Sequence, residues 1–181
     1  MDKNTDKKLA FEYFVYQLHV WYKEACGDTK DNDLSILKVL KLLFFVSAVG
    51  TDKNSQSSLI DDVFDNFCAM PYGHVESDIY TIIKEKRLDN ISIDTTKSRI
   101  NSLDPILQNI DNGVKVKIDK SIDLLKEINF NLIKFSSFEL VELSHRWYSW
   151  QKNYTKAKLS GSFSIPISID EIKREIKIYQ L

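Results

Sequence analysis

The sequence contains few of the residues that hold small exported proteins together. It has only two cysteines, Cys26 and Cys68, and neither lies in a CxxC pair or near a histidine at ligand spacing. This pattern argues against both a disulfide framework and a zinc site. The first residues, MDKNTDKK, are charged and have no apolar core behind them, unlike an export signal. We therefore expect free thiols in a cytoplasmic protein.

Glycine, proline and net charge are also low. Five glycines, three prolines and 43% hydrophobic residues exclude a wholly disordered chain. A net charge of -1 argues against nucleic-acid binding through overall charge. The main apolar run is shorter than the roughly 20 residues that cross a bilayer, so we expect no membrane partner. The length of 181 residues fits one domain, and we predict that residues 1–181 form it.

The strongest structural signal is the stretch 33–50, with the sequence DLSILKVLKLLFFVSAVG. Ile36, Leu40 and Leu43 recur at the spacing of one helical face, and the second half is apolar on nearly every side. This pattern predicts a helix over 34–49 that lies at the centre of the core.

The ends and the charges of this helix can also be predicted. Asp33 is a good N-cap, and Gly50 is suited to the left-handed conformation that ends a helix. Lys38 and Lys41 are three residues apart, which places them on one strip of the helix. We expect that strip to be exposed.

Other periodic segments predict helices around the central one. We expect a turn at 26–32, a loop at 87–101 and a short extended segment at 163–167. The fold class is therefore mainly α, a single compact multi-helix domain around a central buried helix with a few short extended segments. The remaining predicted helices lie at about 5–26, 58–67, 76–86, 104–113, 119–129, 136–150 and 168–179. We expect the last two to begin with capping boxes of Ser136 with Glu139 and of Ser168 with Glu171, and Ile128 to face inward.

Catalytic motifs are missing from the sequence. It contains no GxxxxGK[ST], GxGxxG, GxSxG or HExxH pattern. His145 lies near Glu142 and Ser144, but residues one and three apart on a helix cannot converge on one reacting atom. His19 has no second histidine at helical spacing and is interpreted as a partly buried polar side chain. We expect a protein that is not an enzyme and that binds no cofactor or metal.

Two charge runs leave alternatives open. Residues 146–158 contain four basic residues, no acid and interleaved aromatics, which is typical either of core aromatics with solvated lysines or of a surface that stacks on single-stranded nucleic acid. We favour the first, because the whole chain is not basic. The segment 54–83 contains five acids and no Lys or Arg, which indicates either a solvated helix face or an acidic docking surface for a basic partner. These acids are Asp61, Asp62, Asp65, Glu76 and Asp78.

Two stretches, FCAMPYGHVESDIY at 67–80 and LVELSHRWYSW at 140–150, stand out further. With KLLFF at 41–45 and IPISIDEI at 165–172, they resemble the Panacea domain, also described as the SocA-like or GepA-like antitoxin domain. The family pattern contains a KLL-aromatic helix, an A..YGPV...VY segment, an L..L(S/T)H....W helix and a tail that begins Ile-Pro. Here His74 and Ser149 replace two prolines that are usual in that pattern. The matching residues are Lys41 to Phe44, Ala69, Tyr72, Gly73, Val75, Tyr80, Leu140, Leu143, Ser144, His145, Trp150, Pro166 and Ile172.

The resemblance implies a function without catalysis. Members look like cytoplasmic antitoxins of toxin–antitoxin systems, encoded in prophages and mobile genetic elements, that neutralise a cognate protein toxin by direct binding. One branch resembles an adaptor that delivers its toxin to a cytosolic AAA+ protease, and an interaction protein of a phage or mobile element with another target is a further alternative. The resemblance leaves the oligomeric state open.

The residues that carry the resemblance are also the candidate site. We expect the two stretches at 67–80 and 140–150 to lie together in the fold, although they are far apart in the chain. Their polar groups either lock the packing of the core or contact the partner. The candidate partner-binding residues are Tyr72, Gly73, His74, Val75, Tyr80, Ser144, His145 and Trp150.

Overall fold

Helix α2, Ile36–Ala48, lies at the centre of the protein. In the computed structural model, which describes residues 3–28 and 31–181, every residue from 38 to 48 of this helix is buried. Gly50 follows with a φ of 68°, the left-handed conformation expected at the end of a helix. The prediction of a central buried helix is confirmed.

The N-cap and the lysines of α2 differ from the prediction. Ser35, not Asp33, caps the helix, because the Ser35 hydroxyl accepts a hydrogen bond from the backbone N–H of Lys38 at 3.3 Å. Both Lys38 and Lys41 are fully buried, so the expected exposed strip is wrong. Other elements pack on several sides of α2, so the aliphatic parts of both lysine side chains lie in the core. Each ammonium group forms a hydrogen bond with an oxygen atom. Lys38 Nζ lies 2.6 Å from Asp33 Oδ1.

The prediction of a mainly α fold is confirmed. The described residues share one hydrophobic core, to which α1, Lys3–Cys26, contributes Phe14, Leu18 and Trp21 and in which α2 lies. No helix in residues 3–28 and 31–181 is both long enough and apolar enough to span a bilayer. Besides α2, the helices are α1 Lys3–Cys26, α3 Leu59–Asp62, α4 Ser77–Lys84, α5 Asp104–Asn109, α6 Asn112–Asn129, the 3-10 helix Phe130–Lys134, α7 Ser137–His145, α8 Tyr148–Leu159 and α9 Ile169–Arg174.

Two small antiparallel sheets complete the described part of the fold. Strand β1, Phe67–Met70, pairs with β2, Gly73–Glu76, and on its other edge with β5, Ile165–Pro166. Strands β3, Ile91–Ile93, and β4, Ser98–Ile100, form a separate hairpin.

Neither hairpin follows from the sequence pattern. The prediction placed Phe67 on a helix and residues 87–101 in a loop, and both are wrong. Phe67, Cys68 and Ala69 are all buried, so β1 lacks the alternation of apolar and polar residues that signals a strand with one exposed face.

Several helix ends also differ from the predictions. The capping box of Ser136 and Glu139 is confirmed at the start of α7, but the predicted helix 136–150 divides into α7 and α8. Trp147 has an extended backbone, with φ −76° and ψ 130°, and this ends the first of the two helices. The predicted capping box of Ser168 and Glu171 does not form, since the Glu171 side chain bonds α8 instead.

Helix α6 begins earlier than predicted. Gly113 does not end a helix but lies in the first turn of α6, because the Asp111 side chain accepts a hydrogen bond from Val114 N at 2.9 Å. Ile128, predicted to face inward, is 42% exposed. The turn predicted at 26–32 falls partly on residues 29–30, which lie outside the described residues.

Candidate functional site

The hairpin β1–β2 brings the first of the two motif stretches onto α7. Gly73 opens β2 with a φ of 98°. A Cβ atom built on Gly73 would lie 2.4 Å from Ser144 Oγ and 2.9 Å from Ser144 Cβ, so only a residue without a side chain fits between the hairpin and the helix. The prediction that the stretches at 67–80 and 140–150 lie together is confirmed.

His74 joins β2 to both α7 and α8. Its Nδ1 lies 2.9 Å from Ser144 Oγ, its Nε2 lies 2.8 Å from Ser149 Oγ, and its backbone N–H donates to Ser144 Oγ at 3.1 Å. The ring stacks on Phe44 of α2 at a centroid distance of 3.6 Å. Complete burial lowers the pKa of His74 well below its ordinary value. His74 is therefore neutral, and its contacts link β2 to α2, α7 and α8.

Lys41 adds α2 to the same buried network. Its ammonium donates a hydrogen bond to the carbonyl oxygen of His74. Burial lowers the pKa of Lys41 to about 7 from its ordinary value of 10.5. No carboxylate of the described residues pairs with Lys41, which is why desolvation acts on it without compensation.

The pKa of Lys41 predicts a stability that depends on pH. Between about pH 7 and 10.5 the unfolded chain holds a proton on this lysine that the folded protein has released. The free energy of unfolding should therefore rise with pH in this window, by about 1.4 kcal/mol per pH unit where the difference is a full proton, and the penalty is fully present below pH 7. We expect Lys41→Met to remove this slope in urea denaturation between about pH 7.5 and 9.5.

The exposed Lys120→Met on α6 is the matched control and should keep the slope of the unchanged protein. An unchanged slope in Lys41→Met would mean that Lys41 keeps its proton in the folded state.

His145 and Trp150 form part of a stacked series of side chains. The rings of His145 and Trp150 are 3.7 Å apart and nearly parallel, and those of Trp150 and Tyr154 are 4.8 Å apart. Lys158 Nζ lies 4.9 Å from the ring centroid of Tyr154. Trp150 Nε1 donates to the carbonyl oxygen of Met70 at 2.9 Å, which fixes α8 to the hairpin. We call these four side chains of α7 and α8 the aromatic ladder.

The remaining motif residues are divided between core and surface. Val75 is buried in β2, whereas Tyr72 in the hairpin turn is 58% exposed and Tyr80 on α4 is 39% exposed. Buried members of the motif can lock the packing of the core, and only the exposed ones can touch a partner without a change of fold.

The buried network has side chains of types used in catalysis, but a substrate cannot reach them. Lys41, His74, Ser144 and Ser149 are each at most 1% exposed. A general base or nucleophile needs a position for the reacting atom within hydrogen-bond reach, and a closed core offers none. The arrangement is suited to holding the fold.

The predicted acidic surface is partly internal. Glu76 is fully buried, so its assignment to an exposed docking surface is wrong. Its carboxylate, together with those of Asp65 and Asp78, accepts hydrogen bonds from Lys7 Nζ at 2.6–2.8 Å. These three carboxylates have oxygens within 4.8 Å of one another, a spacing that could hold a metal ion, but the Lys7 ammonium already bonds all three.

The other two acids of that run also face lysines. Asp61 lies 2.8 Å from Lys173 Nζ, and Asp62 pairs with Lys117. The basic partners of the run therefore come from α1, α6 and α9, outside the run itself. Sequence reasoning missed these lysines, and no local signal could have identified them.

The structure thus defines a class of protein, a mainly helical domain whose motif residues lie mostly in its interior, with Tyr72 and Tyr80 at the surface. The model of the antitoxin SocA-like Panacea domain matches residues 39–151, which is more than half of the chain, and the protein belongs to this family. The match extends from α2 through the hairpin and α7 into α8. Nothing among curated proteins or solved structures matches the chain.

Proposed function

We propose that the protein is an antitoxin that neutralises a cognate protein toxin by forming a direct, stoichiometric complex with it. The observation that carries the proposal is the family match over residues 39–151. A family of antitoxins implies a toxin as the partner, and neutralisation by binding needs a stable complementary surface and no reaction.

Two features of the protein support binding over turnover. The polar groups of the motif, Lys41, His74 and Ser144 among them, are buried where no substrate can enter. In contrast, large apolar side chains such as Tyr72 and Tyr148 are more than half exposed, and aromatic residues of this kind anchor protein interfaces.

The test is paired expression with the neighbouring genes. We expect one adjacent open reading frame to arrest growth when expressed alone and to be tolerated when this protein is present. The two proteins should then co-purify at a fixed ratio, as a stable complex does. The proposal fails if no neighbour arrests growth, or if a toxic neighbour is rescued without a detectable complex.

The same experiment separates a direct inhibitor from a proteolytic adaptor. Rescue in host strains that each lack one cytosolic AAA+ protease should remain complete for a direct inhibitor, with the toxin present at an undiminished level. Loss of rescue in one of these strains, with the toxin accumulating, would replace direct neutralisation with delivery to that protease.

A further inference from the structure

Helix α8 presents an exposed stripe to solvent. Tyr148, Gln151, Thr155 and Leu159 recur at steps of three or four and are all exposed, with Tyr148 at 66% and Leu159 at 85%. Phe163, 84% exposed, follows beyond the end of the helix. We call these five residues the α8 stripe. The opposite face of the helix is buried and consists of Ser149, Asn153 and Ala157.

The flanks of the α8 stripe are positively charged. Arg146, Lys156 and Lys158 are exposed and form no ion pair with the described residues, while Lys152 is paired with Glu171. The nearby acids Glu171 and Glu175 bond Lys152, Asn153 and Ser149 of α8. The surface therefore combines large exposed apolar side chains with three cations outside any ion pair of the described residues, and its complement is an acidic surface that also carries apolar side chains.

A recess adjoins the stripe and could receive an anchoring side chain. A cavity of about 230 Å³ opens between α8 and the α9 segment, lined by Tyr148, Ser149 and Lys152 from α8 and by Glu171, Arg174 and Glu175 from the other side. Interfaces concentrate their binding energy in a few large side chains that fill such recesses.

The aromatic ladder argues against single-stranded nucleic acid as the occupant. Trp150 stacks on both His145 and Tyr154, and Lys158 Nζ lies over the Tyr154 ring. These rings are already stacked within the protein, which makes them poor platforms for a base. Of the exposed aromatics of the stripe, Tyr148 is the first residue of α8 and Phe163 follows its last residue. A helix about 18 Å long separates them, which is too far to stack successive bases.

We infer that the α8 stripe is the surface on which the toxin docks, and that the contacting surface of the toxin is acidic with apolar side chains at its centre. This inference rests on the proposed function. The inference assigns partner binding to exposed side chains of α8 and not to the buried residues of the motif. The charge of this surface is opposite to that of the acidic run at 61–78.

The first test compares variants of the stripe with matched variants elsewhere. The probe is the product of the adjacent reading frame that arrests growth when expressed alone. Tyr148→Ser with Leu159→Ser should weaken the complex at least tenfold and abolish rescue, because it removes both exposed apolar ends of the helix. Lys156→Glu with Lys158→Glu should slow association at least tenfold and remove most of its dependence on salt.

The controls change similar residues on other helices. Phe138→Ser on α7 removes an aromatic side chain that is 67% exposed, and Lys120→Glu on α6 reverses an exposed charge. Both should bind and rescue as the unchanged protein does, and all variants should melt at its temperature. If the stripe variants also form the complex and rescue normally, the protein is an antitoxin but the docking surface is elsewhere.

If no neighbouring product is toxic, the proposed function fails and a second probe decides the surface. This probe is a synthetic amphipathic helix with leucines on one face and glutamates on the other. Binding of this peptide that is lost in both stripe variants and kept in both controls supports the α8 stripe as a docking surface. If the peptide does not bind, or binds the stripe variants normally, the inference is wrong. Salt-dependent binding of a thymidine oligonucleotide that is lost in Lys156→Glu with Lys158→Glu would assign the surface to nucleic acid and overturn it as well.

Discussion

Gly73→Ala should cost about 3 kcal/mol or more of the free energy of unfolding, measured by urea denaturation. Gly73 has a φ of 98°, a conformation that costs an L-residue about 1–2 kcal/mol. The added methyl group would also meet Ser144 Oγ at 2.4 Å and Ser144 Cβ at 2.9 Å. Overpacking of this kind costs about 1–3 kcal/mol, because the hairpin or α7 must move.

Gly161→Ala provides the matched control for this change. Gly161 has a φ of 69°, but nothing lies within 4 Å of the position its Cβ would take. Gly161→Ala should therefore lower the free energy of unfolding only by the cost of a positive φ in an L-residue, about 1–2 kcal/mol. Equal losses at the two glycines would mean that the hairpin does not press directly on α7.

Leu43→Asp should cost about 4 kcal/mol or more in the same measurement. Leu43 is fully buried in α2, at the centre of the core. The change removes buried apolar contacts and introduces a carboxyl group with no partner, and each of these losses is large in a closed interior.

Two controls separate burial from the chemistry of the substitution. Leu43→Met keeps the volume and should cost less than about 1.5 kcal/mol. Leu159→Asp places the same acid at a leucine that is 85% exposed and should change stability by less than about 0.5 kcal/mol. A Leu43→Asp variant as stable as Leu159→Asp would remove α2 from the centre of the core.

The sequence predicts the position of α2 well because the signal is strong and local. A second half that is apolar on nearly every side is stable only when buried, and Gly50 follows the helix with a conformation that other residues resist. The burial of Lys38 and Lys41 could not be predicted in the same way, since it depends on oxygens supplied by Asp33 and by the backbone of His74. Residue type alone does not reveal such partners.

The candidate site shows the same division. The resemblance correctly brings the stretches at 67–80 and 140–150 together, but it does not distinguish buried His74 from exposed Tyr72. The acidic run suggests an open surface because its counter-ions, such as Lys7 and Lys173, lie far away in the sequence. Local charge counts predict a surface potential only when distant residues do not reach the same place.

The hydrogen bond between His74 and Ser149 also restricts which residues can replace these two in related proteins. Both residues stand where the family pattern usually has proline, and in the fold they touch, Nε2 to Oγ at 2.8 Å. A buried imidazole without the Ser149 hydroxyl would leave one ring nitrogen unpaired, which is costly in a closed core. The two replacements are therefore energetically linked, and among homologues these positions should covary, with histidine at the first accompanied by a hydroxyl-bearing residue at the second.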